Sequence, residues 1–149
     1  MTNPEPAAKP PMERFELFAH GADVGVRGRG PSRAAAFAEA ARAMTAVLTD
    51  PDKVKANTHV SVAVEAPDDE LLLLEWLNAI IFEMATRDML FSRFEVSIDD
   101  HRLSATLWGE ALDRARHEPA VEIKGATLTA LKVSREADGS WLAQTVVDV

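Results

Sequence analysis

The sequence contains no cysteine and no tyrosine among its 149 residues. The absence of cysteine excludes disulfide bonds, thiolate metal ligands and a cysteine nucleophile, and the absence of tyrosine removes one kind of general acid. Apolar runs are too short for a membrane-spanning helix, which needs about 18 consecutive apolar residues. The first 15 residues lack the apolar segment of a secretory signal, so the sequence predicts a cytoplasmic protein.

Basic residues are in the minority. The sequence has 16 Lys and Arg and 24 Asp and Glu, so its formal net charge is −8. Proteins that capture a nucleic-acid backbone present a basic face, so this balance argues against direct RNA or DNA binding and favours a basic partner. A hydrophobic fraction of 47% with 27% charged residues is typical of a globular protein and excludes global disorder.

Prolines at positions 4, 6, 10 and 11 lie among Ala, Lys and Glu. This composition predicts a disordered or extended tail over residues 1–12, followed by a single domain over residues 13–149. Helical spacing of apolar residues predicts one helix from the N-cap Ser32 to about Leu48 and a second that begins after Pro67.

The remaining patterns predict strands, because apolar and polar residues alternate. Gly28, Gly30 and Pro31 are expected to end the second of them, and Asp138-Gly139 is a predicted turn. Strands that outnumber helices and are joined by hairpins predict an α+β fold, with a two-layer, largely antiparallel sheet packed with two main helices. The predicted strands are 14–18, 22–27, 59–66, 89–98, 102–108, 121–133 and 141–147.

Common catalytic motifs are absent: there is no G-x-x-x-x-G-K-[ST], no H-E-x-x-H and no G-x-S-x-G. Gly28 and Gly30 in the segment RGRGPS make a weak phosphate-loop candidate, and we interpret this segment as an ordinary strand-to-helix turn. His117 falls in a predicted loop, within the charged segment 113–118, which we interpret as a solvated loop or a short helical turn.

Four positions carry functional groups in unexpected places. Asp23 interrupts an apolar alternation beside His20. One interpretation is that it binds a cation or transfers a proton. The other is that it is a solvated residue on an edge strand. The Asp148 side chain and the Val149 α-carboxylate either join Asp23 in an oxygen-rich site for Mg²⁺, Ca²⁺ or Mn²⁺, or form a frayed acidic terminus. Lys124 is either a positive donor to a phosphate or to these carboxylates, or an outward-facing side chain.

Eight short blocks occur together in one order: F-x-L-F-A-H-G-A-D-V-G-V-R-G, A-F-A-E-A-A-R-A-M, V-L-T-D, L-L-L-E-W-L-N, F-S-R-F-E-V, W-G-E, H-E-x-x-V-E-I-K-G-A-T and W-x-A-Q-x-x-V-D-V. As an ordered set they resemble the archease family of small cytoplasmic proteins. The resemblance extends from about Phe15 to the last residue, so it covers nearly the whole predicted domain.

The resemblance implies a function. Archeases are cofactors of the RtcB-type RNA ligase, which joins 2′,3′-cyclic phosphate or 3′-phosphate ends to 5′-hydroxyl ends in tRNA splicing and RNA repair. They accelerate guanylylation of the ligase by GTP and allow it to turn over repeatedly. The resemblance therefore implies a non-catalytic activator whose partner is the ligase and which meets RNA only indirectly.

The resemblance also implies a site. Asp23, Asp148 and Val149 correspond to the divalent-cation site of the family (magnesium or calcium), and Lys124 corresponds to a further implicated residue. His20 belongs to the same H-x-A-D-V segment as Asp23.

Departures from the family pattern surround this site. The residue before His20 is usually acidic and is Ala19 here, and the usual Thr after the histidine is Gly21. The aromatic or histidine positions expected after the lysine are replaced by the segment 127–129. The loss of the acidic residue at position 19 predicts a weaker metal site, or one that the ligase or its nucleotide completes.

Two other functions stay open on the sequence. A chaperone-like binding module would need no metal, and a metal-dependent phosphohydrolase would use the same carboxylates but has no recognisable nucleophile or general base.

Overall fold

The computed structural model describes residues 13–149, and the predicted tail over residues 1–12 lies outside the described residues. None of the helices in the described part is long and apolar enough to cross a membrane. The elements are β1 (Arg14–His20), β2 (Asp23–Gly30), α1 (Arg33–Leu48), a 3₁₀ turn (Pro51–Lys53), β3 (Thr58–Glu65), α2 (Asp69–Arg87), β4 (Met89–Asp99), β5 (Arg102–Ala111), the short helix α3 (Arg114–His117), β6 (Gly125–Ala126), β7 (Lys132–Arg135) and β8 (Trp141–Asp148).

All the strand pairs are antiparallel, and they are shared between two sheets. The first sheet has the order β1-β2-β8-β6, with β7 also paired to β8, and the second has the order β3-β5-β4. The predicted α+β class is confirmed, although the strands form two sheets where the sequence patterns suggested one. β8 is the centre of the first sheet, because it pairs with three other strands.

Helix α1 lies close against the first sheet because of glycines in β2. Ser32 caps the helix as predicted, and its Oγ accepts a hydrogen bond from the Ala35 N–H at 3.1 Å. A methyl group at Gly28 would overlap the backbone of Ala36 and Ala40 in this helix. The prediction that Gly28 ends the strand is therefore wrong: β2 continues to Gly30, and glycine at position 28 allows the close packing.

Helix α2 connects the two sheets through the core. Asp68 caps it by accepting from the Leu71 N–H at 2.8 Å, and acidic residues occupy its first turn, as the sequence predicts. The Trp76 ring is fully buried, and its indole N–H donates to the Phe37 carbonyl of α1 at 2.9 Å. This hydrogen bond satisfies the indole inside an otherwise apolar core.

The predicted strand over 121–133 is wrong. Residues 121–124 are not a strand, β6 has only two residues, and a turn with Ala130 at φ 55° precedes β7. Side-chain hydroxyls add to the backbone bonds here: Thr127 donates to the Val146 carbonyl from its N–H at 3.0 Å and from its hydroxyl at 2.7 Å, and the Thr145 hydroxyl donates to the Thr127 carbonyl. Alternating sequence alone does not reveal that hydroxyl groups will satisfy the backbone.

Candidate functional site

The end of β8 and the start of β2 meet at one end of the first sheet. Their register pairs Val24 with Val147, which brings Asp23 beside the last residues of β8. The backbone N–H of Val149 donates to Oδ1 of Asp23 at 3.3 Å. We call Asp23, Asp148 and Val149 the carboxylate end. Because β2 lies between β1 and β8, the alternative that Asp23 sits on an edge strand is wrong.

The carboxylate end is accessible from solvent. Asp148 is exposed, whereas Asp23 and Val149 are partly buried. His20 is exposed and pairs with Asp23 across the turn between β1 and β2, where Gly21 has φ 60°. Glycine adopts that left-handed conformation without strain.

Lys124 approaches the carboxylate end through its backbone. Its N–H donates to the Asp148 carbonyl at 2.8 Å, and the next residue, Gly125, pairs with Asp148 in the sheet. The Lys124 residue itself is exposed. All five sequence-predicted site residues therefore lie around the junction of β1, β2, β8 and the segment before β6.

The donor set at the carboxylate end suits a hard cation. Carboxylate oxygens are the ligands that Mg²⁺, Ca²⁺ and Mn²⁺ prefer. Within residues 13–149, no group of three or more His, Asp and Glu side chains is placed to hold a metal ion. Asp23 and Asp148 supply two side-chain carboxylates, and a cation bound there needs further oxygen donors, such as the Val149 α-carboxylate, water or a partner's groups.

A second polar cluster, which the sequence analysis did not identify, lies at the end of β5. His117 is only 1% exposed, and its Nε2 is 3.0 Å from Oε2 of Glu110. The Nδ1 atom accepts from the Asp113 N–H at 2.9 Å, which assigns the ring proton to Nε2. Arg116 donates to Oε1 of Glu110 at 2.5 Å, and the Lys55 N–H donates to Oε2 at 2.7 Å.

These contacts change the acidity of the glutamate. The hydrogen bond from Arg116, together with those from the Lys55 backbone and His117, lowers the pKa of Glu110 to about 2, although burial opposes the shift. Its hydrogen-bonding groups are engaged within the protein, so we interpret the cluster as structural. The sequence signal was available, because Arg116 and His117 follow Glu110 at short spacing and α3 is the helical turn that brings them back.

Comparison with known proteins identifies the family. The model of the Archease protein family (MTH1598/TM1083) matches residues 15–149. The chain is 36% identical to the protein archease of Pyrococcus abyssi over 142 residues, which cover 93% of this chain and 100% of that protein. It is 34% identical to the protein archease of Sulfurisphaera tokodaii over 140 residues, with the same coverage.

Two solved structures are also similar. The solution structure of Methanobacterium thermoautotrophicum protein 1598 has a TM-score of 0.81 and 32% identity, covering 93% of this chain and 100% of that one. The crystal structure of an archease from Thermotoga maritima has a TM-score of 0.55 at 19% identity, covering 90% and 96%, and so shares the fold. With the family model matching nearly all of the described residues, the chain belongs to the archease family.

Proposed function

We propose that this protein is a non-catalytic activator of an RtcB-type RNA ligase, acting in cytoplasmic tRNA splicing and RNA repair. In this role it promotes guanylylation and repeated turnover of the ligase, and the ligase alone contacts the RNA ends. The observation that carries the proposal is the hydrogen bond from the Val149 N–H to Asp23, because it sets the last residues of β8 beside the start of β2.

A divalent cation, Mg²⁺, Ca²⁺ or Mn²⁺, is the cofactor in this proposal. Asp23, Asp148 and the Val149 carboxylate would hold it, and the bound cation supplies positive charge for orienting phosphate groups. Lys124 and His20 border the carboxylate end and present nitrogen groups towards a nucleotide or the ligase. Because Ala19 and Gly21 offer no charged side chain, the partner or its GTP completes the coordination.

The charge of the chain supports docking on an RNA-binding enzyme. A net charge of −8 complements a ligase surface that must be basic to hold RNA, and such complementarity accelerates association.

A second function is favoured by one comparison. The Thermotoga maritima archease is described as a possible chaperone. A chaperone-like binding module has no need for the carboxylate end, so it predicts that Asp23→Ala leaves activity intact.

The test is single-turnover guanylylation of the cognate ligase with GTP and Mn²⁺, with and without this protein. Wild type is expected to accelerate the step, and Asp23→Ala and Asp148→Ala are each expected to lose more than about tenfold of that acceleration, because each removes a cation ligand. Glu65→Gln is the matched control, since Glu65 is an exposed carboxylate on β3 in the other sheet.

Full activity of both aspartate variants would favour the binding module. No acceleration by folded wild-type protein, with an active ligase, would remove the activator function itself.

A further inference from the structure

The first sheet has one face packed on α1 and one face turned away from it. Gly28 lies on the packed face, because a Cβ there would overlap the α1 backbone. Since side chains alternate along a strand, Arg27 and Arg29 lie on the other face of β2. Arg14 of β1 lies there too, because it is the register partner of Arg29. We call this face the outer face of the first sheet.

A fourth basic residue extends this group across the sheet. Arg27 Nε donates to Gln144 Oε1 of β8 at 2.8 Å, so the Gln144 side chain also lies on the outer face. Lys132 of β7 is exposed and pairs with Gln144. From β1 through β2 and β8 to β7, the group spans about 14 Å of the sheet. We call it the basic strip: Arg14, Arg27, Arg29 and Lys132.

The basic strip contacts fewer carboxylates than it has cations. Glu16 of β1 forms ion pairs with all three arginines, at distances from 3.0 to 3.5 Å. Glu136 adds one contact with Arg29 at 3.6 Å. Two carboxylates therefore contact four basic residues, in a chain whose net charge is −8. The charge of the whole chain thus conceals a local positive surface.

The arginines are arranged in a way that does not favour the fold itself. Arg14 and Arg29 are directly opposite each other on neighbouring strands, and like charges in that position destabilise a sheet. Arg27 uses its Nε for Gln144 and one terminal nitrogen for Glu16. A guanidinium has further N–H donors, and these suit an external anion such as a phosphate.

The composition of the outer face favours a nucleic-acid strand over a protein as the ligand. Its aliphatic side chains are covered, since Leu142 is 4% and Val146 is 2% exposed. The Phe18 ring lies against Gly25, and the Arg27 guanidinium is 4.6 Å from the ring centroid. Protein interfaces depend on apolar anchors at their centre, whereas nucleic-acid interfaces are more polar and more positive.

Acidic groups border the basic strip at both ends of the strands. Asp23 and Asp148 are one register pair beyond Val24 and Val147, at the end of the sheet where β8 finishes. Asp138 lies in the turn before β8, at the opposite end. A phosphate chain is repelled from both ends, so the strip directs it across the strands from β1 to β7.

We propose that the basic strip binds the phosphate backbone of the RNA strand whose ends the ligase joins. The choice of RNA rests on the proposed function, whereas the binding of phosphates rests on the strip itself. Arg27 is about 13 Å along β2 from Asp23, so RNA on the strip lies beside the carboxylate end. The ligase still acts on the RNA ends, and this protein holds the strand away from them.

The test is binding of a fluorescein-labelled single-stranded RNA to this protein alone, measured by fluorescence anisotropy at several NaCl concentrations. Arg14→Gln/Lys132→Gln removes two exposed cations, and its thermal unfolding temperature should match that of wild type. Its RNA affinity should fall about tenfold at low salt. The slope of log K against log[NaCl] should become shallower by about 1.4, because each phosphate contact of a single strand contributes about 0.7.

The matched control is Arg93→Gln/Arg102→Gln. It removes the same charge from two exposed arginines of the second sheet, on β4 and β5. Its RNA affinity should equal that of wild type. An equal loss in both double variants would show that only the net charge matters, and would overturn the basic strip as a site.

A further variant should change the affinity in the opposite direction. Glu16→Gln removes the carboxylate that competes with phosphate for the three arginines, so the RNA affinity should rise several-fold. If Glu16 only stabilises the sheet, the variant loses stability without this gain. An RNA affinity that stays the same or falls in folded Glu16→Gln protein would overturn the proposal.

The remaining outcomes separate this proposal from the proposed function, because guanylylation uses GTP and no RNA. Arg14→Gln/Lys132→Gln should accelerate guanylylation as wild type does. Folded wild type that accelerates guanylylation but does not bind RNA overturns the basic strip alone. Wild type that binds RNA through the strip without accelerating guanylylation overturns the proposed function alone. If the double variant loses affinity for the ligase and keeps its affinity for RNA, the strip belongs to a protein interface and the proposal is wrong.

Discussion

Glu110 shows how much a single charged residue depends on its surroundings. Its side chain is almost buried, yet it stays ionised because Arg116, His117 and the Lys55 N–H all donate to it. Replacing the carboxylate with an amide would leave one accepting oxygen and turn an N–H₂ group towards donors that now bond the other oxygen, which costs more than the pair itself contributes. The carboxylate therefore holds β5, α3 and the segment after the 3₁₀ turn together.

We predict that Glu110→Gln lowers the free energy of unfolding by about 2 kcal/mol at neutral pH. The pKa of Glu110 is about 2 in the folded protein, against an ordinary value of 4.5. Its stabilising effect is therefore complete above about pH 4.5 and is lost as the pH falls towards 2. Urea unfolding at several pH values should show the gap between wild type and variant closing in that range. A gap that stays constant down to pH 2 would contradict this assignment.

A second prediction concerns a single residue, Asp23, and rests on the proposed cation site. Asp23→Asn keeps an oxygen that can accept from the Val149 N–H but removes the charge, so the unfolding temperature without metal should change little. A cation that binds the folded state raises stability in proportion to RT ln(1 + [L]/Kd). Millimolar Ca²⁺ should therefore raise the unfolding temperature of wild type more than that of the variant. Equal gains would show that Asp23 is not a ligand.

At the scale of elements, the packing of α1 on β2 depends on glycine. The backbone of Ala36 and Ala40 occupies the space that a side chain at position 28 would need, and backbone atoms cannot turn away as a flexible side chain can. The helix and strand can approach this closely only while position 28 lacks a Cβ.

Gly28→Ala is accordingly expected to cost about 3 kcal/mol in the free energy of unfolding, at the upper end of overpacking effects. Gly125→Ala provides the matched control, because the nearest atom to its new methyl group would be Asn78 Oδ1 at 3.8 Å, an ordinary contact. Urea denaturation of both variants measures the difference. If the two variants were equally stable, the close approach of α1 would not be important for stability.

The elements also show which signals are local. The helices and the β4–β5 hairpin were predictable from the sequence. Their signals, the capping residues Ser32 and Asp68 and the apolar periodicity, come from residues that are close together in the chain. The contact between Asp23 and Val149 could only be hypothesised from the sequence, because it depends on the pairing of β2 with β8. The cluster around His117 was missed although Glu110, Arg116 and His117 are close in sequence, because the pattern does not show that the histidine is buried. The broken strand over 121–133 was missed because it depends on contacts with β8, a distant segment.

For the whole molecule, the surplus of acidic residues predicts how association with the proposed partner, the RNA ligase, responds to salt. Raising NaCl from about 50 mM to about 500 mM shortens the Debye length several-fold and should slow association by about tenfold, with a smaller effect on dissociation. Stopped-flow mixing with a labelled ligase measures both rates. An association rate that does not change with salt concentration would show that the net charge does not contribute to docking.

The position of β8 in the first sheet has a consequence for biosynthesis. Arg27 on β2 and Gln144 on β8 form a hydrogen bond across 117 residues of sequence. While the ribosome is still translating, β2, β6 and β7 therefore lack their partner, and the nascent chain exposes open strand edges of the kind that invite aggregation. Prematurely terminated chains lose the central strand and the carboxylate end together.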